Sequence, residues 1–304
     1  FKQKTAYEIP LRLVGSEMCI RDSLNIQDEG GTNEIITKVT SKILNQLNEI
    51  NNISRTNIPV SKLTVALQCG GSDSYSGITA NPALGFASDM IIDHGGTTLL
   101  SETPEIYGAE HLLFEKSSNE KNIEKLNEQI EWWKEYVAKN DSTLDNNPSP
   151  GNKKGGLTTI LEKSLGAVSK AGNRNMVDVL DYAEQVKTKG LNFMNSPGYD
   201  PVSVTGQVAS GANVICFTTG RGSCFGFKPT PSIKIATNTN MYNKLSEDMD
   251  INAGTIMDNV ASVNEVGKEI FDKIISVASG EKSMSEINDY GDDEFNPWII
   301  GATL

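Results

Sequence analysis

Four short stretches concentrate the side chains that could do chemistry. Cys69, Ser72 and Asp73 share the run Cys69-Gly70-Gly71-Ser72-Asp73; Glu102 and Glu105 flank Thr103-Pro104; Asn152 and Lys153 lie in an Asn-, Pro- and Gly-rich run; Thr219 precedes Gly220-Arg221-Gly222. An arginine between two glycines presents its guanidinium fork for bidentate binding of a carboxylate, although an ion pair anchoring the loop would use the same residue. Lys153 offers similar attraction as a point charge, or is simply a solvated loop cation. Glu102 and Glu105 could bind a metal or move protons, and Glu105 could equally stabilise the first turn of a following helix. Cys69 is a candidate soft metal ligand, weighed against plain burial, the commoner state of a lone cysteine. Ser72 and Asp73 could hold a metal-bound water or cap the next segment. The candidate catalytic residues are therefore Ser72, Asp73, Glu102 and Lys153, the candidate substrate-binding residues Arg221, Asn152 and Thr219, and the candidate metal ligands Cys69 and Glu105.

Other features read more plainly. His94, beside Gly95-Gly96, suits a helix C-terminus for dipole reasons alone; His111 reads as mid-helix and structural, and Glu162 and Lys163 as surface charges of a helix. Gly151-Asn152-Lys153-Lys154-Gly155-Gly156 is followed by Leu157-Thr158 and preceded by no strand, which excludes a phosphate loop. Thr219–Gly226 lacks the spacing of a dinucleotide-binding turn.

The elements that must position these loops follow from periodicity. Residues 33–48 place Ile35, Ile36, Val39, Ile43, Leu44 and Leu47 at helical spacing. Leu63–Gln68 is a short apolar run ending at a glycine turn, as a buried strand would be. Beyond it the pattern predicts a helix over 82–93, a strand over 97–101, a helix from Pro104 to about 116 and a mostly solvated helix over 119–139. Residues 141–156 read as a long loop. Helix 157–171, strands near 176–180 and 191–194, helix 201–210, strand 213–218, a glycine loop at 219–226, strand 232–236 and helices near 239–247 and 263–279 complete the chain. Strands alternating with helices imply an α/β fold: a mainly parallel sheet with helices on both faces and ligand loops at the strand carboxyl ends.

Composition narrows the function classes. The 304 residues carry 27 Lys and Arg against 39 Asp and Glu, a formal charge of -12, and no run of five basic residues, so no nucleic-acid partner is expected. No stretch approaches the roughly 18 apolar residues of a membrane span, so no membrane partner is expected. Beyond Cys19, the cysteines Cys69, Cys216 and Cys224 are widely spaced with no C-x-x-C pair, which fits a reducing cytoplasm and argues against a disulfide framework. Residues 1–23 resemble the translation of a sequencing-library adapter, with FKQKTAYEI and LVGSEMCIRDS as constant arms. The natural chain is then expected to start near Leu24, to be truncated upstream, and to form a single α/β domain over 24–304.

The loops carry the ordered motifs LQCGGSDSYSGITANPALG, SETPEIYGAEHLL, NNPSPGNKKGGLTTILEKSLGAVSKAG, SPGYDPVSVTGQVASGANVICFTTGRGS, PSIKIATN and DMDINAG. From about Leu63 to Leu304 the chain resembles the altronate/galactarate dehydratase family. The resemblance implies a hydro-lyase that removes water from a small-molecule sugar acid to give a 2-keto-3-deoxy acid, with a divalent metal, iron(II) or manganese(II). It also implies either a homo-oligomer or pairing with a small N-terminal subunit or domain. The large subunit of sulfolactate sulfo-lyase resembles the same region and is the alternative, as is a noncatalytic fragment lacking upstream active-site groups. Dehydration of a 2,3-dihydroxy acid needs a cation or metal on the carboxylate, a base at the α-carbon and an acid at the departing hydroxyl.

Overall fold

The computed structural model describes residues 24–302, so the adapter-like segment 1–23 lies outside the described residues. The described residues fall into two units, one ending at Asn57 and one beginning at Ile58. The first contains helix α1, Thr32–Asn51, close to the span that periodicity predicts. Ile36, Ile43, Leu44 and Leu47 on this helix are exposed.

The second unit holds strands β1 (Thr64–Cys69), β2 (Thr97–Leu100), β3 (Met176–Leu180), β4 (Leu191–Met194), β5 (Val214–Thr219), β6 (Ser232–Ala236) and β7 (Ile251–Asn252). Its helices are α2 (Ala80–Asp93), α3 (His111–Phe114), α4 (Glu120–Lys139), α5 (Pro150–Lys154), α6 (Ile160–Ser169), α7 (Asp200–Ala209), α8 (Thr239–Lys244), α9 (Val263–Ala278) and α10 (Met284–Ile287). The strands form one sheet in the order β3-β4-β2-β1-β5-β6-β7, with every pairing parallel. Starting from β1, the chain first builds outward through β2 and then returns to lay β5 on the opposite edge of β1. The order therefore reverses between β1 and β5, the place where open parallel sheets bind ligands beyond their carboxyl ends.

Both faces of the sheet are covered, as a parallel sheet requires. On one face Val65 and Leu67 of β1 pack with Ala83, Leu84, Ala87 and Ile91 of α2 and with Val266, Ile270, Ile274 and Val277 of α9. On the other, Ala66, Ile215 and Phe217 pack with Val204 of α7. Fully burying one such leucine or valine stabilises the fold by about 1.5–3 kcal/mol. Gly85 lets α2 reach the end of α6, since a β-carbon there would stand 2.2 Å from the Ser169 carbonyl oxygen.

The departures from expectation have local causes. In place of one helix from Pro104 to 116 there is a 3-10 turn, Thr103–Ile106, and then α3, because Gly108 adopts a left-handed φ of 88° that breaks the helix between them. His111 is thus the first residue of α3 and exposed, not mid-helix. The 141–156 loop holds a 3-10 turn, Leu144–Asn146, and α5, which Ser149 opens with a capping box to Asn152 and Pro150 favours at its first turn. Helix α4 is less solvated than its charges suggest: Leu126, Ile130, Trp133 and Val137 make a buried stripe. No helix among the described residues is long and apolar enough to cross a membrane.

Candidate active site

Two glycine turns meet at the reversal point. Gly70 N–H donates to the Thr218 carbonyl at 3.1 Å, and the N–H groups of Gly220 and Arg221 donate to the Gly71 carbonyl at 3.2 and 3.1 Å. Asp73 clamps this junction: its carboxylate accepts from Tyr75 N–H, Ser76 N–H, Thr237 Oγ1 and Asn238 Nδ2 at 2.9–3.1 Å. A β-carbon on Gly220 would stand 2.1 Å from Asp73 Cγ, so only glycine admits that carboxylate. The buried Asn152 amide donates to the Ser72 carbonyl at 2.9 Å and so ties α5 to the same turn. Thr219 is buried and its Oγ1 accepts from Gly222 N–H at 3.1 Å.

Beside this junction β2 ends in an acidic turn. Glu102 takes a left-handed φ of 71°, unusual for a side-chain-bearing residue, and aims its carboxylate beneath β1. Gln68 Nε2 donates to Glu102 Oε1 at 2.6 Å, and Lys170 Nζ lies 3.2 Å from Glu102 Oε2 and 2.9 Å from Cys69 Sγ. Glu105 has its own cation: Lys163 Nζ donates to Glu105 Oε1 at 2.6 Å and to Asn147 Oδ1 at 2.7 Å. Cys69 Sγ sits 3.8 Å from Glu102 Oε2 and 3.5 Å from Glu105 Oε2. Lys170 and Glu102 side chains are each 0% exposed, and Lys163 and Glu105 are 9% and 4% exposed. Two ion pairs thus face one thiol in a dry site, where an unpartnered charge would be very costly.

The two carboxyls are driven apart in acidity. Burial, reinforced by the neighbouring Glu105 charge, outweighs Lys170 and holds Glu102 well above the ordinary carboxylate range. Burial also opposes the Glu105 charge, but Lys163 and Lys170 overcome it and hold that carboxyl below its ordinary range. Asp200, in the first turn of α7, is pushed up to about 7 by burial and by the Glu105 charge. Burial raises the Cys69 thiol. Burial disfavours the Lys170 charge, yet the Cys69 sulfur and the two glutamates more than offset it and raise that ammonium. Separated acidities of this kind equip one carboxyl as acid and the other as base.

Of the residues expected from sequence, Cys69, Glu102 and Glu105 come together. Their donor atoms all lie within 4.8 Å of one another and are buried, a triad able to hold a divalent metal ion. Ser72, Asp73, Asn152 and Thr219 form the adjoining junction. Arg221 and Lys153 are exposed, unlike the ion pairs; the Arg221 guanidinium lies against α5, with Nη1 2.1 Å from where a Gly151 β-carbon would be. Lys163 is not a surface charge, as its sequence context suggests, because Glu105 and Asn147 draw it inward; Glu162 stays outside and accepts from Thr158 N–H at 2.8 Å. His94 ends α2 as expected, with Nδ1 2.7 Å from the Met90 carbonyl oxygen. Sequence reasoning missed Gln68, Asn147, Lys170 and Asp200. The one signal for the lysines is their separation of seven positions, two helical turns, which sets Lys163 and Lys170 on one face of the α6 region.

Comparison with known proteins identifies the family. Residues 60–303 match the family described as D-galactarate/altronate dehydratase, C-terminal. The chain is 41% identical over 261 residues to galactarate dehydratase (L-threo-forming) of Escherichia coli (strain K12), covering 85% of this chain and 50% of that protein. It is 43% identical over 251 residues to altronate dehydratase of Bacillus subtilis (strain 168), covering 82% and 50%. To (2R)-sulfolactate sulfo-lyase subunit beta of Chromohalobacter salexigens it is 31% identical over 262 residues, covering 85% and 67%. The chain spans about half the length of the two dehydratases.

Proposed function

Because the chain belongs to the D-galactarate/altronate dehydratase family, we propose that its buried ion pairs form the acid–base centre of a sugar-acid dehydratase, a hydro-lyase acting on altronate or galactarate. The observation that carries this reading is the pair of buried carboxyls, Glu102 and Glu105, each with its own buried lysine, at the reversal point of the sheet. Glu105, kept ionised by Lys163, is the base for the proton beside the substrate carboxylate. Glu102, whose acidity burial and the Glu105 charge weaken, is the acid that meets the departing 3-hydroxyl. The Lys163 and Lys170 ammonium groups offset the negative charge that develops on the enediolate. Arg221 and Lys153 on the rim draw in the substrate carboxylate, while Ser72, Asp73, Asn152 and Thr219 hold the glycine turns that shape the entrance.

With a divalent ion bound, iron(II) or manganese(II), Cys69, Glu102 and Glu105 would hold it as ligands in place of the acid–base roles given above, and the ion would supply Lewis-acid polarisation of a bound carboxylate or hydroxyl. Lys170, whose Nζ lies 2.9 Å from Cys69 Sγ, and Lys163 would stand beside that ligand set as its buried cations. The product is a 2-keto-3-deoxy acid, and altronate is the first-choice substrate. We place the protein in the cytoplasm, as a homo-oligomer or paired with a small N-terminal subunit or domain.

A second reading is supported by the larger share, 67%, of the sulfo-lyase subunit that the chain spans. Loss of sulfite from sulfolactate is also a β-elimination next to a carboxylate, and the same two carboxyls would serve it. The test is anaerobic assay with iron(II) or manganese(II), using the chain alone and together with the part of the Bacillus subtilis dehydratase it does not span. Formation of 2-keto-3-deoxy acid from altronate or galactarate, lost in Glu105→Gln, is the expected result. Sulfite release from sulfolactate with no sugar-acid turnover would favour the second reading, and no turnover of either kind in the combined sample would overturn both.

A further inference from the structure

The chain's three tryptophans, Trp132, Trp133 and Trp298, meet in one cluster. The Trp298 ring stacks on Trp133 with centroids 5.3 Å apart and planes 5° from parallel, and it stands edge-on to Trp132 and Tyr182 at 5.8 and 5.3 Å. Its segment, residues 292–302, contains no helix or strand, yet it is tied down on both sides of the ring. Asn296 N–H donates to Thr205 Oγ1 of α7 at 3.0 Å, and Gly301 N–H donates to Tyr136 Oη of α4 at 2.8 Å.

Underneath the stack a chain of hydrogen bonds leads to the acidic turn. Trp133 is fully buried and its Nε1 donates to Asn195 Oδ1 at 2.8 Å. The same oxygen accepts from Thr103 Oγ1 at 2.7 Å. Next along the chain, the Ser196 carbonyl accepts from Thr103 N–H and Ser196 Oγ accepts from Glu102 N–H, each at 3.0 Å. Asn195 and Ser196 therefore grip both residues at the start of the turn, including Glu102 with its left-handed backbone. A strained conformation of this kind persists only where its surroundings over-determine it.

We infer that Trp298 and Trp133 are positioning residues: segment 292–302 is a strap that presses α4 onto Asn195 and so holds Glu102 and Glu105 in register with Cys69. The catalytic consequence rests on the dehydratase reading; the positioning itself does not. Two cysteines on adjacent strands separate a local effect from a global one. Cys69 touches the acidic turn, whereas Cys216 pairs with Leu67 inside the sheet, and each reacts with alkylating agent only when its surroundings open.

The test is site-resolved iodoacetamide labelling of the full chain, read by mass spectrometry, in Trp298→Ala, Trp298→Phe and Asn195→Ala variants. Trp298→Ala is expected to speed Cys69 labelling about tenfold with Cys216 unchanged and to remove the part of the near-ultraviolet circular dichroism that comes from the Trp298–Trp133 stack. Trp298→Phe restores Cys69 protection. Asn195→Ala raises Cys69 labelling while keeping that spectroscopic signal, because the strap stays docked. Unchanged Cys69 labelling, or Cys69 and Cys216 rising together, overturns the inference. Where turnover is measurable, kcat falls in Trp298→Ala with KM little changed; absence of turnover in the parent chain bears on the dehydratase reading alone.

Discussion

Gly70 and Asp200 touch in a way that no other residue at position 70 would allow. A β-carbon on Gly70 would stand 2.2 Å from Asp200 Oδ2 and 2.5 Å from Phe217 Cζ. The contact brings a third carboxyl, from the first turn of α7, up to the end of β1 next to Cys69. Gly70→Ala is therefore expected to displace Asp200 and Phe217 together and to cost roughly 1–3 kcal/mol, the usual range for overpacking. Urea denaturation reads this directly, and a variant as stable as the parent would show that the contact relaxes freely.

The Lys163–Glu105 pair is nearly dry, so removing one partner should cost far more than a surface ion pair does. Lys163→Met leaves the Glu105 charge uncompensated, with an expected loss of about 3–5 kcal/mol. The double variant Lys163→Met/Glu105→Gln removes that stranded charge and should recover most of the loss. A double variant no better than the single one would mean that packing, not charge, dominates.

Asp200 gives a pH signature. Its folded carboxyl is pushed up to about 7, above the roughly 3.9 of an unfolded aspartate. Between those values the folded chain binds the proton that the unfolded chain has lost, so this group makes stability fall as pH rises through that window. Glu102, also raised, acts in the same direction. Asp200→Asn mimics the neutral form, and its stability relative to the parent should climb from about pH 4 to 7 and then level off. Parallel stability curves for parent and variant across that window would contradict the assignment.

Metal binding and the Lys170–Cys69 contact should compete. A metal needs the sulfur deprotonated and unshielded, so binding releases protons and tightens as pH rises. Calorimetric titration with manganese(II) is expected to show weaker binding in Cys69→Ala and Glu105→Gln, and tighter binding, by tenfold or more, in Lys170→Met. Equal affinity in all four proteins would place any bound ion elsewhere.

Much of this architecture is legible in the residues. The spans 176–180 and 191–194 are those of β3 and β4, and the end of β1 at the glycine turn follows from Leu63–Gln68. Glu102 and Glu105 stand out because a proline turn after a buried strand leaves few other places for them. Lys163 and Lys170 do not stand out, since lysines at helical spacing ordinarily face water; only the carboxyls that β2 delivers across the sheet justify burying them. Helix α5 escapes notice for a different reason: its single turn carries no apolar period, and only Ser149-Pro150 marks its start. The role of Trp298 depends on contact with Trp133, 165 positions away, about which local pattern is silent.

The order of the strands also bears on synthesis at the ribosome. The central ladder joins β1 to β5, and the Thr64–Asn213 bond beside it spans 149 positions. While the chain emerges N-terminus first, β1 can find β2 early but must wait for its other neighbour until Val214–Thr219 has been made. During that interval the nascent chain presents a bare strand edge, and Cys69 and its glycine turn have no β5 beside them. The turn that carries Cys69 therefore gains its second strand neighbour only late, and the buried cluster of Cys69, Glu102 and Glu105 is completed after it.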